Sequence, residues 1–259
     1  MSIPPAPALP ESVEPDWLTR YRAGQHVLVW REMRRLGAAI RTGALADEAR
    51  AVVAETMSRV RENVELVRKR LLAVGYDFMV PYHEVHAPPA DDTTTALDEF
   101  EAAHDVMPLS LRAFYEIVGT VDFRQAPDQL VRWYAAEQGR DVDELGMLGE
   151  YDPLVVMGLP LEPDDWDRRP DGGWFLAPDE FHKADYSGGE NYHVLLPDAA
   201  ADFRIDGMYG IDEWFVDYLR ATFTGGGFRG RCESDGPDSR KLLPDLRICR
   251  ELARDLVRF

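Results

Sequence analysis

Met107-Pro108-Leu109-Ser110-Leu111-Arg112-Ala113-Phe114-Tyr115-Glu116-Ile117-Val118-Gly119 sets the fold class, because a helix with both ends marked runs straight into an extended segment. Leu111, Phe114, Tyr115 and Val118 fall at i, i+3, i+4 and i+7, one apolar helical face. Pro108 suits a first helical turn, and Gly119 stands where a C-terminal cap belongs. Residues 120–124 then read as a strand. Further strand candidates follow at 154–157, 174–177, 192–196 and 203–205, separated by Pro, Gly and Asp clusters. Helices are expected near 130–138, over 211–223 and over 245–259. The helix at 211–223 has Trp214, Phe215, Tyr218 and Leu219 on its apolar side. The closing helix carries Cys249, Leu252, Leu256 and Phe259 on one stripe, which makes Cys249 a core residue. Strands flanked by helices without regular βαβ alternation predict an α+β fold, a mainly antiparallel sheet packed by helices.

Upstream, two long helical patterns precede this domain. Trp17, Tyr21, Val27, Val29, Trp30, Met33 and Leu36 form the first, which Gly37 breaks or bends. Ala46, Ala49, Val53, Met57, Val60, Val64, Val67 and Leu71 step by threes and fours in the second, and Gly75 stops it. The short link 42–44 makes an antiparallel hairpin the economical arrangement. Residues 76–86 are extended in character, and Pro88-Pro89 with Asp91-Asp92-Thr93-Thr94-Thr95 is a loop. The expected division is a Pro-rich flexible lead at 1–13, a helical hairpin at 14–75 and an α+β domain at 76–259.

Charge is distributed unevenly. The 259-residue chain has a formal net charge of −18. Residues 141–217 hold 20 Asp/Glu against 4 Lys/Arg, whereas residues 1–75 hold 12 Lys/Arg against 9 Asp/Glu. A concentrated anionic field attracts cationic partners and speeds encounter with them. It argues against nucleic acid and anionic membranes, both of which need a basic footprint. Nothing approaches a membrane-spanning apolar run. The Pro-rich start lacks the features of a signal peptide, so cytoplasmic residence is expected. Cys232 and Cys249 are too few for a disulfide scaffold or a metal set.

His83 and His86 are three apart beside Pro81, so on an extended segment they face opposite sides and form no helical metal motif. Residues 179–190 gather His182, Lys183, Ser187, Glu190 and several other carboxylates, yet Ser187 lacks a nucleophile-elbow context and Gly188-Gly189 lacks a phosphate-loop Lys. A turn feeding the next strand explains those glycines. Gly225-Gly226-Gly227 ends a helix instead of opening one, unlike an anion site. Asp164, Asp165 and Asp167 around Trp166 do not match a calcium loop. They do suit an aromatic anchor ringed by acid. The expected partner-binding residues are therefore Asp164, Asp165, Trp166, Asp167, Asp179, Glu180 and Glu190, with no catalytic residue, metal or cofactor assigned.

The chain resembles the SUKH superfamily, which joins cell-wall-assembly regulators of the Smi/Knr type with bacterial immunity proteins. The likeness rests on the 107–119 helix, on Tyr151-Asp152-Pro153-Leu154, and on 174–196 with its Ala-Pro-Asp-Glu segment and Ser-Gly-Gly turn. Met107 stands where the family has leucine. The resemblance covers about 76–228 and implies an α+β domain for protein binding with no catalytic residues, typically one that neutralises toxins, many of them nucleases. The function expected is a non-enzymatic immunity protein against a basic effector, acting as a monomer or as a homodimer through its N-terminal helices. The alternatives are a scaffold or regulatory protein of the same fold, or a hydrolase-like enzyme with its site at His182–Glu190.

Overall fold

The computed structural model describes residues 16–104, 106–129, 144–158, 173–187, 189–207, 213–232, 241–242 and 246–259. Helices α1 (Trp17–Arg22) and α2 (His26–Arg35) and a 3-10 turn (Gly37–Arg41) lead into the 31-residue α3 (Gly43–Ala73). Then come β1 (His86–Ala87), α4 (Thr93–His104), α5 (Leu109–Ala113) continued by a π-helical turn (Phe114–Val118), and β2 (Thr120–Asp122). A 3-10 turn (Gly146–Glu150), β3 (Val155–Val156), β4 (Gly173–Ala177), α6 (Glu180–Lys183) and β5 (Tyr192–Leu195) follow. The chain continues through β6 (Arg204–Ile205), β7 (Glu213–Trp214), α7 (Phe215–Thr224), β8 (Arg231–Cys232), β9 (Lys241–Leu242) and α8 (Arg247–Leu252).

The architecture is α+β, with small antiparallel sheets. Strands β1, β2 and β3 form one sheet in that order, and His86 pairs with Val121, which pairs in turn with Val156. Strands β4 and β5, β6 and β7, and β8 and β9 form two-stranded ribbons. Leu111, Phe114, Tyr115 and Val118 are all buried. Gly119 adopts φ 94, and a Cβ there would run into the carbonyl oxygen of Ala87 on the paired strand. Only glycine fits where the helix turns back under β1.

Helix α3 forms as its periodicity predicts, since every member of its apolar stripe from Ala46 to Leu71 is buried. Gly75 takes φ 81 just beyond its end. One hydrophobic cluster runs from Trp17 through Val64, Phe114 and Val155 to Phe259, so the hairpin shares its core with everything that follows. Polar ties reinforce this. Arg34 of α2 bonds Asp202 at 2.7 Å and Asp217 at 2.7 Å, and Asn63 of α3 exchanges two 2.8 Å bonds with the backbone of Val257, 194 residues away.

Several elements differ from expectation. The first helical pattern is two helices, because Gly24 takes a left-handed φ of 93. Within 76–86, Phe78 bridges Gln125 and a turn at Tyr82–Glu84 follows Pro81, which has no backbone N–H to offer a ladder. Residues 213 and 214 pair as a strand, with Arg204 opposite Trp214, and the helix expected from 211 begins at Phe215. The closing helix stops at Leu252. Beyond it the carbonyls of Arg254, Val257 and Arg258 accept bonds from Arg70, Asn63 and Arg59 of α3, which replace helical partners. The helix expected near 130–138 lies outside the described residues. No described helix is long and apolar enough to cross a membrane.

Candidate functional site

The polar stretch 179–190 folds inward. Asp179 is the N-cap of α6: its Oδ1 accepts the backbone N–H of His182 at 2.9 Å and lies 2.7 Å from Nδ1 of the same histidine. Its other oxygen, Oδ2, lies against Gly189, where a Cβ would overlap it. Asp179 and Glu180 are both buried, which corrects the expectation that they present charge to a partner. The reason is local: a four-residue helix needs its cap, and its inward face carries Glu180 and Lys183 together. Glu190 is half-buried. Asp164, Asp165, Trp166 and Asp167 lie outside the described residues.

Lys183 is sealed in the core at the centre of a charged network that sequence did not reveal. Its Nζ donates to Asp152 Oδ1 at 2.6 Å and to Tyr218 Oη at 3.2 Å, and it sits 4.8 Å from the ring centre of Tyr192. Tyr192 Oη donates to Asp152 Oδ2 at 3.1 Å, and Arg229 approaches that oxygen at 3.7 Å while bonding Glu213 at 2.6 Å. Burial pushes the Lys183 ammonium below its ordinary pKa, against the pull of Asp152. Burial and the neighbouring Asp152 push both phenols, Tyr192 and Tyr218, well above theirs. For Arg229, burial opposes the charge, but Asp152, Tyr192 and Glu213 together outweigh it, so the guanidinium titrates above its usual value. Two cations face two anions, with two phenols between them. This arrangement pins the 152 loop, α6, β5, α7 and the 229 loop together. As a donor to Asp152, the Lys183 ammonium has no lone pair for chemistry.

His86 is buried, with Nδ1 2.5 Å from Glu65 and Nε2 2.8 Å from the carbonyl of Val118, whereas His83 is exposed. Both partners of His86 are oxygen atoms that can accept a hydrogen bond. Ser187 is exposed on its turn. Cys249 is buried, and burial raises its thiol to about 12.

Helix α4 is an outward-facing feature that combines charge with apolar surface. Leu97 is its buried anchor, while Asp98, Glu99, Ala102 and Ala103 are exposed. Along it runs a groove of about 470 Å³ lined by Ala90, Asp92, Ala96, Glu99, Phe100 and His104, among others. Phe100 and His104 pack on Trp174 at 4.9 and 4.8 Å between ring centres, an aromatic cluster linking α4 to β4. Asp98 and Glu101 bond Arg112. Asp91, Asp92 and Glu99 make no ion pair among the described residues. The groove thus has an apolar floor and an anionic rim. In sequence the signal that could have found it is Asp92, Ala96, Glu99, Phe100 and Ala103, which step by threes and fours along one helical face.

Comparison with protein-family models, with curated proteins and with solved structures finds no match.

Proposed function

We propose that this chain is a non-catalytic protein-binding module of the immunity type, which docks a basic effector domain on the acid-rimmed groove of α4. The observation that carries this reading is the pair of groove carboxylates, Asp92 and Glu99, which make no ion pair among the described residues and line the same groove as the half-buried Phe100. Interfaces of this kind place an aromatic anchor inside a charged rim, and the rim sets the rate of encounter. The acidic stretch Asp164–Asp167 joins the chain a few residues before Trp174, which packs on Phe100. The SUKH-like passages support a binding role, and the enclosure of Lys183 and Asp179 agrees with a scaffold that keeps its strongest charges for holding itself together.

The test pairs this chain with a basic effector domain, drawn from the adjoining gene where one is encoded there, in growth-rescue and stopped-flow binding experiments over a salt series. Wild type should rescue growth and associate more slowly as salt rises. Asp92→Lys/Glu99→Lys should lose rescue and associate about tenfold more slowly, since rim charges act mainly on the on-rate. Binding indifferent to both salt and the double variant would overturn the proposal.

A further inference from the structure

A second surface, away from α4, has the opposite sign. Helix α2 turns Val27, Leu28, Arg31 and Arg35 outward, with Val27 52% and Leu28 49% exposed. Val27, Arg31 and Arg35 stand at i, i+4 and i+8, one helical row. Two grooves flank this row and share Val27. One, of about 760 Å³, runs past His26, Phe223, Leu256, Val257 and Arg258. The other, of about 370 Å³, is lined by Arg31, Arg34, Arg35, Trp214 and Asp217. Val257, 38% exposed, adds to the apolar floor.

The electrostatics of this face differ from those of the chain as a whole. Among the described residues Asp217 is the one carboxylate side chain lining either groove, and it is already bonded to Arg34 at 2.7 Å and Arg220 at 2.7 Å; Arg220 also donates to the backbone oxygen of Phe259 at 2.6 Å. Arg31, Arg35 and Arg258 form no close ion pair among the described residues, and Arg35 lies within the field of Glu32 on the same helix. Arg204 stacks on Trp214 at 5.0 Å. Guanidinium groups cluster here, on a chain with a formal net charge of −18. At physiological salt the screening length is about 8 Å, so a docked group senses this local sign more than the total.

We infer that this double groove is a docking site for an acidic, leucine-containing segment of a partner protein, independent of whatever binds α4. Charge complementarity selects the acidic character, and the exposed Val27, Leu28 and Val257 select apolar side chains between the acids. Arginine rims around apolar floors are the common composition of binding hot spots. A polyphosphate would leave the apolar floor uncovered. A lipid surface needs a convex face and a protein it does not repel, whereas this site is concave on a strongly anionic chain. A second copy would bring the same large negative charge to the encounter.

The experiment measures fluorescence anisotropy of a labelled helical peptide of alternating Glu-Glu-Leu triplets against the full chain. Its Lys-Lys-Leu counterpart and poly-glutamate serve as controls. The acidic-apolar peptide should bind and the basic one should not. Arg31→Glu/Arg35→Glu should weaken binding about tenfold, and Val27→Ser/Leu28→Ser by a similar factor. Both pairs are surface substitutions, and unchanged thermal melts would verify their folding. Asp92→Lys/Glu99→Lys should bind the peptide as wild type does, which separates this site from α4. The inference is overturned by peptide binding indifferent to both α2 variants, or by poly-glutamate binding that survives loss of the apolar pair. Equally, concentration-dependent self-association or capture by phosphatidylserine vesicles that Arg31→Glu/Arg35→Glu abolishes, without peptide binding, would replace the acidic partner with a second copy or a membrane.

Discussion

Lys183→Met tests the buried charge network directly. Lys183 and Asp152 are sealed from solvent and lie 2.6 Å apart. Methionine keeps roughly the volume of the lysine stem, so the substitution removes charge with little loss of packing. Asp152 then keeps Tyr192 and a more distant Arg229 at 3.7 Å. Removing one member of a buried pair costs about 3–5 kcal/mol, because the remaining charge stays desolvated. Against a total of about 5–15 kcal/mol that is a large share. At about 2–4 °C per kcal/mol for a chain of this size, the melting temperature should fall by about 10 °C. Denaturant titration read by tryptophan fluorescence checks the free energy. Asp152 holds φ 51, and Asn tolerates that region, so Asp152→Asn/Lys183→Met removes both charges at little backbone cost. The double variant should recover part of the loss, a coupling of about 0.5–3 kcal/mol in the cycle. A Lys183→Met protein that unfolds within 0.5 kcal/mol of wild type, or a strictly additive cycle, would refute the reasoning (~0.5 kcal/mol being the ordinary spread for surface changes).

Other outcomes follow from single features. Gly119→Ala should destabilise by about 1–3 kcal/mol in a thermal melt, because it places a Cβ at a left-handed φ against the Ala87 carbonyl. Glu32 and Glu55 titrate below their ordinary value chiefly through bonds from Arg20 and Arg59, and Asp217, despite burial, through Arg34. A depressed carboxylate pKa contributes stability that is complete above the unfolded value and disappears as pH falls through the folded one. Stability should therefore decline below about pH 4.5, and Glu55→Gln should make that decline shallower. Asn63→Ala leaves the Val257 N–H and carbonyl without partners; hydrogen exchange over 253–259 should accelerate, with a loss of about 1–3 kcal/mol.

Much of this fold is readable from periodicity. The apolar stripe of α3, the face of the 107–119 helix, the strand at 192–196 and the burial of Cys249 each repeat with a period that backbone geometry imposes. Gly75 and Gly119 sit where left-handed turns are needed. The boundaries that moved did so through contacts distant in sequence: Trp214 is extended because Arg204 offers a strand, and residues 253–259 leave the helix because α3 supplies donors. Charge is harder to read than periodicity. An aspartate looks the same in sequence whether it faces water or caps a helix, so Asp179 and Glu180 read as surface. Lys183 meets Asp152 across 31 residues and Tyr218 across 35, and no spacing announces such a meeting. The groove proposed as a docking surface on α4 was missed for the opposite reason. Its charges are few, and what distinguishes them is the ring of Phe100 beside them, held in place by Trp174 of β4.

The order in which this molecule can assemble is constrained by where the partners of α3 lie. The helix is finished by residue 73, yet its stripe is covered by segments that reach to the other end of the chain, where Val257 meets Asn63. During synthesis a long amphipathic rod must wait, uncovered, for most of the polypeptide to emerge. Such non-local closure slows folding and leaves apolar surface open to chaperones or to neighbouring copies. Premature release from the ribosome should thus yield insoluble fragments instead of a folded N-terminal unit.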